Sequence, residues 1–485
     1  MIYLSLKNNI DIQIDTDDYD VLRHIYDQFT YLEDGYYWTY RYQSGTWDGK
    51  VSLFNTAKRV LPYGLFLELY KFLKKENYLG QVKIDDDLKK LFKNDINNID
   101  ITYDLKFQPY DYQQDIIEDA LKKTKGIYVA ATGSGKSLII TYIIKNLYIN
   151  NLTKKHIIIV PTTSLIEQFY YDLIDYGIDE ELLGIANKDK KQFEKTIVIS
   201  TWQVLQNRIK EIKNFDLVMC DEVHLVKAKV LSKIMKNCGH MTYRYGVTGT
   251  MPNNYLDKDR VISYIGPVWK TYKTSELANQ GYLSTCNIKH IKIRYTNKID
   301  GDYKERKDKV FKNEYRLQLM KGIINKTNNT LILVERVAEE GEFLENYLKE
   351  NIKGKTVVFL SGRDKPKVRE EWRQKMENDG NIVMIATYGI FSTGINVKSL
   401  KNVIIASSSK SKIRILQSIG RSLRKNANKE NGAYIWDLWD QVKGMQSHGN
   451  SRERFYIKEA FNIETIEMHE KRDKNINKLF EKNII

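Results

Sequence analysis

The sequence of 485 residues predicts an α/β protein in which a small α+β domain precedes two parallel-sheet domains in tandem. Short apolar runs alternate with stretches of helical spacing in two successive series, which is the pattern of parallel sheets with crossover helices. A glycine-containing loop that leads from an apolar run into a helical stretch marks the first series. Residues 1 to about 105 follow neither series, and we therefore expect them to form a separate domain.

The N-terminal residues have the pattern of a small mixed domain. Residues 3–6 and 10–14 alternate between apolar and polar side chains, as half-buried strands do, and residues 19–29 have helical spacing. Further along, the step Asp48-Gly49 is typical of a turn between strands. These features predict strands and at least one helix packed together.

The segments 36–42 and 45–50 combine aromatic and basic side chains. Aromatic rings stack on bases and cations neutralise phosphates, so the mixture predicts a nucleic-acid surface that includes Arg41, Trp47 and Lys50. Aromatic residues also favour strands, so the alternative is that they form one face of a strand core. The residues alone leave both interpretations open.

The two series of apolar runs set the expected domain boundaries. Strand candidates of the first series lie at 127–130, 156–160, 196–200, 217–220 and 245–247, and those of the second at 330–334, 356–360, 382–385, 402–406 and 433–436. The charged segment 297–316 predicts a solvated loop or an insertion. We expect domains at 1–105, 106–275 and 276–455, followed by a helical tail at 456–485.

The loop at residues 130–137 predicts a phosphate-binding site, because it stands between a predicted strand and a predicted helix. Its glycines allow backbone N–H groups to turn toward phosphates, Lys136 places a charge on the β- and γ-phosphates, and the Ser137 hydroxyl ligates Mg²⁺. Ala130 stands where the strict pattern has its first glycine. The expected nucleotide contacts are Thr132, Gly133, Ser134, Gly135, Lys136 and Ser137.

Two carboxylates follow the apolar run 217–220. Asp221 and Glu222 are therefore expected at the carboxyl edge of a parallel sheet, where open α/β sheets bind ligands. Asp221 is placed to hold Mg²⁺ through water, and Glu222 to orient and deprotonate the attacking water. Together with the loop, this pair predicts an enzyme that binds and hydrolyses ATP with Mg²⁺.

Composition restricts the class of protein and of partner. Lys and Arg number 77 against 62 Asp and Glu, a formal net charge of +15 that favours a polyanionic partner. Cys220, Cys238 and Cys286 are too few and too widely spaced to suggest a disulfide framework or a zinc site, so we expect buried thiols in a reducing compartment. No apolar run reaches the roughly 18 residues of a membrane span, and the N-terminus lacks a signal-peptide pattern. A cytoplasmic location without membrane attachment is expected.

With these segments in place, the chain resembles superfamily 2 helicases of the DEAH branch. Residues 130–137 are similar to motif I, residues 221–224 to motif II, residues 248–250 to the coupling motif, and residues 417–424 to the Gln-x-x-Gly-Arg-x-x-Arg pattern of motif VI. The resemblance implies two tandem RecA-like domains that hydrolyse ATP. The motif VI arginines, Arg421 and Arg424, stand one helical turn apart and so share a face from which to reach the γ-phosphate across a cleft.

The resemblance also implies roles for single residues. Adenine contact is implied for Tyr112 and Gln113, nucleotide contact for Gly394 of a segment similar to motif V, and a catalytic role for Gln417 beside the two arginines. Asn396 stands where motif V commonly has Asp, which puts its link to ribose or coupling in doubt. The residues implied to couple hydrolysis to movement are His224, Thr248 and Thr250, and those implied to hold a nucleic-acid strand are Thr162, Thr163, Thr201, Trp202 and Thr387.

A more specific likeness is to the UvsW-type recombination helicases of tailed bacteriophages, carried by residues 45–49, 61–65, 388–394 and 410–413. It implies an ATP-dependent enzyme that migrates Holliday junctions, regresses forks and unwinds D-loops and R-loops in recombination, repair and replication, with 3′-to-5′ polarity. The partners implied are branched, single-stranded and double-stranded DNA, RNA–DNA hybrids, and recombination or replication proteins. We expect a monomer, in the host-cell cytoplasm if the protein is viral.

Two other functions are compatible with the same motifs. One is a duplex translocase or an RNA helicase that shares the motor, and the other is a strand-annealing protein whose ATP site only switches its affinity. A switch needs nucleotide contacts but no complete hydrolytic set, so Glu222, Arg421 and Arg424 argue against the purely binding alternative.

Overall fold

The structure of the protein is a computed structural model, which describes residues 1–92, 99–225, 228–252, 254–283, 286–393, 400–407, 432–458, 461–473 and 476. The chain divides into two compact units. The first comprises Met1–Ala130 and Gly135–Tyr272, and the second comprises Ala131–Ser134 and Lys273–Ile485.

The N-terminal part of the first unit is a small α+β domain, as predicted. Four strands form a sheet in the order β5-β2-β1-β6, and β3 pairs with β4 in a separate antiparallel hairpin. The strands are β1 (Ile2–Leu6), β2 (Asp11–Asp15), β3 (Thr30–Leu32), β4 (Lys50–Ser52), β5 (Val60–Pro62) and β6 (Val82–Ile84). The helices are α1 (Tyr19–Gln28), α2 (Tyr40–Gln43), α3 (Phe66–Lys75) and α4 (Asp86–Phe92).

The aromatic segment 36–42 does not form the strand core that was the alternative interpretation. Tyr36–Trp38 is a 3₁₀ turn, and Tyr40–Gln43 is the single helical turn α2. Asp48-Gly49 precedes β4 at the end of the long connection from β3 and is therefore not a two-residue hairpin turn. The aromatic side chains of this connection are mostly exposed.

The rest of the first unit is built on a seven-stranded parallel sheet in the order β13-β7-β12-β11-β8-β10-β9. Its strands are β7 (Lys125–Ala130), β8 (His156–Val160), β9 (Leu183–Ala186), β10 (Ile197–Thr201), β11 (Leu217–Asp221), β12 (Tyr243–Thr248) and β13 (Val268–Tyr272). Its helices are α5 (Asp111–Lys122), α6 (Lys136–Ile149), α7 (Thr163–Tyr176), α8 (Trp202–Leu205), α9 (Ile209–Ile212), α10 (Ala228–Lys236) and α11 (Tyr255–Ile265). All five predicted strands are confirmed, and β9 and β13 were missed.

The small domain and this sheet share one hydrophobic core. Ile12 and Leu61 of the small domain belong to the same buried cluster as Ile262 and Ile265 of α11. The approach is close enough that a Cβ atom at Gly64 would lie 1.8 Å from the Ile262 carbonyl oxygen. The small domain is therefore a fixed part of the first unit, because separating it would expose core side chains to water.

The second unit contains another seven-stranded parallel sheet, in the order β16-β17-β15-β18-β19-β14-β20. Its strands are β14 (Cys286–Arg294), β15 (Thr330–Val334), β16 (Thr356–Leu360), β17 (Ile382–Thr387), β18 (Asn402–Ile405), β19 (Ala433–Asp440) and β20 (Asn462–His469). Its helices are α12 (Thr274–Asn279), α13 (Tyr303–Phe311), α14 (Glu314–Lys326), α15 (Phe343–Asn351), α16 (Pro366–Asn378), α17 (Tyr388–Thr393) and α18 (Gln446–Lys458). The predicted fold class, two tandem parallel-sheet domains after a small α+β domain, is confirmed.

Two local predictions for this unit are wrong. The segment 297–316 is not a loop throughout, because Asp302 accepts a hydrogen bond from the Glu305 N–H at 2.8 Å and so caps α13. The tail is not purely helical, because residues 462–469 form strand β20 along β14. Its alternation places Glu467 3.3 Å from Lys292 of β14, and this cross-strand pairing outweighs the helical spacing of the neighbouring residues.

Two expectations from composition can be compared with the structure. Cys220, Cys238 and Cys286 are free thiols, all of them buried, as expected. Among the residues that the structure describes, no helix is both long and apolar enough to cross a membrane.

Candidate active site

The loop between β7 and α6 presents backbone N–H groups at a helix N-terminus. Gly133 and Gly135 have φ values of +89° and +73°, the left-handed region that side chains other than glycine rarely adopt. A Cβ atom at Gly135 would also lie 2.6 Å from Gln113 Nε2, so both the backbone conformation and the close approach favour glycine there. No side chain caps α6, whose first residue is Lys136, and a helix N-terminus of this kind binds anions.

Lys136 and Glu222 form the central ion pair of the site. Lys136 Nζ lies 3.1 Å from Glu222 Oε1, and the two side chains are only 10% and 14% exposed. Burial by itself raises the pKa of Glu222, but the charges of Lys136 and His224 and the hydrogen bonds it accepts lower that pKa to about 2. Glu222 is therefore a carboxylate near neutral pH.

Glu222 is also held by the end of the neighbouring strand β12. Its Oε2 accepts hydrogen bonds from the Thr248 hydroxyl and from the Gly249 N–H, both at 3.2 Å. The backbone of Glu222 has a φ of +47°, which is uncommon for a residue with a Cβ and turns the chain sharply after β11. Two adjacent strands, β11 and β12, thus fix the orientation of one carboxylate.

His224 completes this group of residues. Its Nδ1 lies 2.5 Å from the Thr248 hydroxyl oxygen and 3.4 Å from Glu222 Oε2. Burial lowers the pKa of His224, although the Glu222 charge opposes that effect. The Thr248 hydroxyl also lies 2.9 Å from the carbonyl oxygen of Thr250. The three residues predicted to couple hydrolysis to movement therefore share one hydrogen-bonded cluster with Glu222.

Ser137 and Asp221 carry the oxygens predicted to hold Mg²⁺. Ser137 is the second residue of α6, and its hydroxyl lies 2.8 Å from the Tyr176 hydroxyl. Asp221 is the last residue of β11. Hydroxyl and carboxylate oxygens suit Mg²⁺, which commonly keeps water and phosphate oxygens as its other ligands. The described residues include no cluster of three or more His, Cys, Asp or Glu side chains that could hold a metal by itself.

Comparison with known proteins identifies the family. The model of the DNA helicase UvsW N-terminal region matches residues 2–85, that of the type III restriction enzyme res subunit matches residues 106–253, and that of the helicase conserved C-terminal domain matches residues 312–426. The ATP-dependent DNA helicase uvsW of Enterobacteria phage T4 is 28% identical over 466 residues, which cover 92% of this chain and 91% of the phage protein. The chain is a superfamily 2 helicase.

Two further similarities agree with this assignment. The crystal structure of T4 UvsW matches the helicase with a TM-score of 0.50 and 25% sequence identity, over 96% of this chain and 99% of that one. A putative ATP-dependent RNA helicase of Acanthamoeba polyphaga mimivirus is 25% identical over 431 residues, or 83% of this chain and 78% of the viral protein. As a member of this superfamily the helicase is an ATP-dependent enzyme.

The predicted adenine-contact residues of the helicase lie at the start of α5. Gln113 is buried, and its Oε1 accepts a hydrogen bond from the Tyr110 N–H at 2.8 Å. Tyr112 is 5% exposed and stacks at 6.2 Å between ring centroids on Tyr110, which is 52% exposed. Gln113 therefore adjoins the phosphate loop through Gly135, while Tyr110 presents the more accessible ring of the pair.

In the first unit, the residues predicted to hold a nucleic-acid strand lie at or just after the carboxyl ends of β8 and β10. Thr162 precedes α7 and Thr163 is its first residue, directly after β8. Thr201 ends β10 and precedes Trp202, the first residue of α8. Because β8 and β10 are paired with Thr201 opposite Val160, these four residues share one edge of the first sheet. The side chain of Thr201 is buried, so neighbouring residues would make any contact with nucleic acid at this position.

In the second unit, Thr387 of the helicase ends β17 and so lies at the carboxyl edge of that sheet. Gly394, Asn396, Gln417, Arg421 and Arg424 lie outside the described residues. Their predicted roles in the helicase therefore stay predictions from the sequence.

The three contact residues predicted in the small domain lie together in the connection from β3 to β4. The Arg41 guanidinium is 5.6 Å from the centroid of the Trp47 ring. Trp47 Nε1–H donates to the Lys50 carbonyl oxygen at 2.8 Å. Arg41 and Lys50 are exposed, whereas Trp47 is half-buried between them.

Two contacts in the site of the helicase involve residues that the sequence did not single out for these roles. Tyr176 contacts Ser137, and the Gly249 N–H contacts Glu222. The Gly249 contact could have been found, because the coupling segment follows a strand that a parallel sheet places beside β11. No sequence signal pointed to Tyr176, which lies 39 residues beyond Ser137 at the end of α7.

Proposed function

We propose that this helicase uses ATP hydrolysis to unwind and branch-migrate branched DNA, including Holliday junctions, forks, D-loops and R-loops, in recombination, repair and replication. The observation that carries the proposal is the cluster of Lys136, Glu222 and Thr248, because direct contacts join three residues for which phosphate binding, catalysis and coupling are predicted. The choice of branched DNA is supported by the similarity to the phage T4 DNA helicase along nearly the whole chain, including the N-terminal domain.

The residues of the first unit fit a nucleotide with Mg²⁺. The backbone N–H groups of Gly135 and the first turn of α6, together with Lys136, would hold the phosphates. Ser137 and Asp221 would hold Mg²⁺, directly or through water. Bound Mg²⁺ would supply positive charge that stabilises the phosphate oxygens during hydrolysis.

The ion pair gives Glu222 a basicity that depends on Lys136. While the Lys136 ammonium lies 3.1 Å from Glu222, the pKa of that carboxyl stays far below neutral and the carboxylate is a weak base. Movement of the ammonium toward a phosphate removes the stabilising charge, and burial then raises the pKa. Glu222 thus becomes a stronger base for the attacking water at the moment Lys136 engages the nucleotide.

Movement along DNA would use contacts to the sugar–phosphate backbone. Thr162, Thr163 and Trp202 lie at the edge of the first sheet, and Thr387 lies at the corresponding edge of the second. Phosphate contacts carry no information about the base sequence, so selectivity would come from the shape of the DNA. Binding would weaken steeply as the salt concentration rises.

A second candidate function is that of an RNA helicase, which the similarity to the mimivirus protein favours. The same hydrolytic residues would serve either activity, because the phosphate chemistry does not depend on the nucleic acid bound. The two functions differ in the substrate that stimulates hydrolysis.

The test measures ATP hydrolysis and strand separation together on a forked DNA, a four-way DNA junction, an RNA duplex with a single-stranded end and an RNA–DNA hybrid. Separation that needs ATP and is fastest on the DNA fork and junction supports the proposal. Separation restricted to the RNA duplex would replace it with the RNA-helicase function, and hydrolysis without separation on any substrate would leave a translocase or an ATP-switched annealing protein.

A further inference from the structure

The connection between β3 and β4 exposes an unusual concentration of aromatic side chains. We call residues 36–42 the aromatic tip. Within it Tyr37, Trp38 and Tyr40 are 52%, 76% and 83% exposed. Several strongly exposed aromatic side chains in one short segment of a folded domain commonly mark an interaction site. Tyr and Trp also suit stacking, because they offer a large rigid ring at a low cost in conformational entropy.

The backbone that carries these rings is ordered by hydrogen bonds within the connection. The Glu33 N–H donates to the Gly49 carbonyl oxygen at 2.9 Å, which closes the connection at its base. The Thr46 N–H donates to the Arg41 carbonyl oxygen at 2.9 Å, which closes the turn around α2. The rings of Tyr37 and Trp38 lie 5.2 Å apart, so they form one surface.

The base of the connection is attached to α11, the helix that follows the coupling segment. Arg260 lies 3.2 Å from Glu33, and Asn254, the N-cap residue of α11, donates to Asp34 at 2.7 Å. The Tyr31 hydroxyl donates to Asp259 on the same helix. The tip therefore has a fixed position relative to Thr248 and the hydrolytic site in the same unit.

The charges around the tip suit a polyanion. Arg41 and Lys50 are exposed, and neither takes part in an ion pair among the described residues. Glu33 and Asp34, the acidic residues at the base, are already held by α11. Asp48 remains, with its carboxylate accepting from the Lys50 N–H at 3.0 Å. Aromatic rings beside unpaired cations are the combination that binds single-stranded nucleic acid.

The aromatic residues most available to bases differ from the one predicted from the sequence. Trp47, the aromatic contact predicted from sequence, is half-buried with its ring beside Arg41 and its N–H bonded to Lys50. Trp38 and Tyr40 are exposed far more fully.

We infer that Trp38 and Tyr40, with Tyr37, form a stacking surface for unpaired DNA bases at the branch point of the substrate. The inference rests on the proposed function, since it names how a DNA helicase would engage the strands it separates. Stacking would hold a base that has left its pair, and the attachment to α11 would keep that base at a fixed distance from the strand-holding edge of the first sheet. Trp47 then supports the tip from within.

The experiment compares binding of the full-length protein to two forked DNAs that differ only in whether the nucleotides at the branch carry bases or are abasic. We expect the wild type to bind the abasic fork about tenfold more weakly. We expect the double variant Trp38→Ala/Tyr40→Ala to bind both forks equally, with the affinity that the wild type has for the abasic one. If the double variant does not fold, Tyr40→Ala alone should show an intermediate loss of the preference.

Two controls sharpen the test. Tyr19→Ala removes another tyrosine of the small domain that is 78% exposed, and it should retain the full preference for bases. Trp38→Tyr keeps an aromatic ring and should retain most of the preference for the fork that carries bases. A double variant that keeps the tenfold preference, or that loses affinity for both forks by the same factor, would overturn the inference. Binding needs no hydrolysis, so failure of the proposed function would show separately, as a wild-type protein that stacks on the fork but does not unwind it with ATP.

Discussion

Lys136 Nζ and Glu222 Oε1 lie 3.1 Å apart in a nearly buried ion pair that joins the phosphate loop to the end of strand β11. The same carboxylate accepts from Thr248 and Gly249 at the end of β12. The Glu222 side chain therefore contacts both the lysine predicted to bind phosphate and the segment predicted to couple hydrolysis to movement. The contacts of Glu222 with Lys136 and with Thr248 can each be tested by substitution.

Replacing Glu222 by Gln removes the proposed general base and leaves the shape of the site nearly unchanged. We expect Glu222→Gln to bind ATP and to hydrolyse it about 10²- to 10⁴-fold more slowly, the usual contribution of a positioned general base. The measurement is single-turnover hydrolysis with saturating DNA, with binding of a fluorescent ATP analogue as the control. Turnover at the wild-type rate would exclude Glu222 as the base.

Replacing Lys136 by Ala removes the charge expected at the phosphates. We expect Lys136→Ala to lose DNA-stimulated hydrolysis by about 10²-fold or more, because a positioned cation stabilises the charge of the transferring phosphate. DNA affinity should stay within about threefold, since Lys136 is 10% exposed and its partner is Glu222. A variant that still hydrolyses ATP at the wild-type rate would contradict the phosphate-loop assignment.

Replacing Thr248 by Val removes the hydroxyl that lies between Glu222 and His224. We expect the number of base pairs separated per ATP to fall severalfold, because Val cannot donate the hydrogen bond that joins the end of β12 to Glu222. The measurement is the ratio of unwinding to hydrolysis on one forked DNA. Thr330→Val, at a buried threonine of β15, serves as the matched control. Hydrolysis and unwinding that fall by equal factors would contradict a coupling role for Thr248.

Lys125 makes stability depend on pH. It lies at the start of β7, 1% exposed, with its Nζ atom 2.9 Å from the Asn9 carbonyl oxygen of the small domain. Burial, with a smaller effect of the Arg244 charge, lowers the pKa of Lys125 from 10.5 to about 6. Between these values the unfolded chain binds one proton more than the folded chain. The free energy of unfolding should therefore rise with pH there, by up to about 1.4 kcal/mol per pH unit from this residue.

The variant Lys125→Met should lose that increment. The urea concentration at the unfolding midpoint of the variant should exceed that of the wild type most at about pH 7 and least at about pH 9. Lys71→Met, at a lysine whose side chain is 68% exposed, controls for the loss of one charge. The same pH dependence in Lys125→Met as in the wild type would contradict a Lys125 pKa lowered by burial.

Much of the fold could be predicted because local patterns and tertiary packing agreed. The apolar runs 156–160, 330–334 and 356–360 coincide with β8, β15 and β16 to the residue, since strands buried on both faces appear in sequence as uninterrupted apolar segments. The edge strand β20 was missed for the opposite reason. Its residues alternate polar with apolar and are held by pairing to β14, so their conformation depends on a partner far away in sequence.

Candidate hydrolytic residues could be named because phosphate chemistry requires particular side chains at fixed spacing. Lys136, Ser137, Asp221 and Glu222 were identified by type and order alone. The sequence did not give the contacts among them, because a hydrogen bond between Thr248 and Glu222 depends on β11 and β12 being neighbours in the sheet.

The sequence by itself determined the fold class and the family and predicted the hydrolytic residues, because strand periodicity and phosphate-binding motifs are local properties of the chain. Tertiary structure decided what surrounds those residues. It placed Lys136 against Glu222, joined the small domain to the first sheet through a shared core, and left Trp38 and Tyr40 in solvent while half-burying Trp47. Exposure and pairing depend on which elements pack together. Those elements are far apart in sequence, so their contacts exist only in the folded chain.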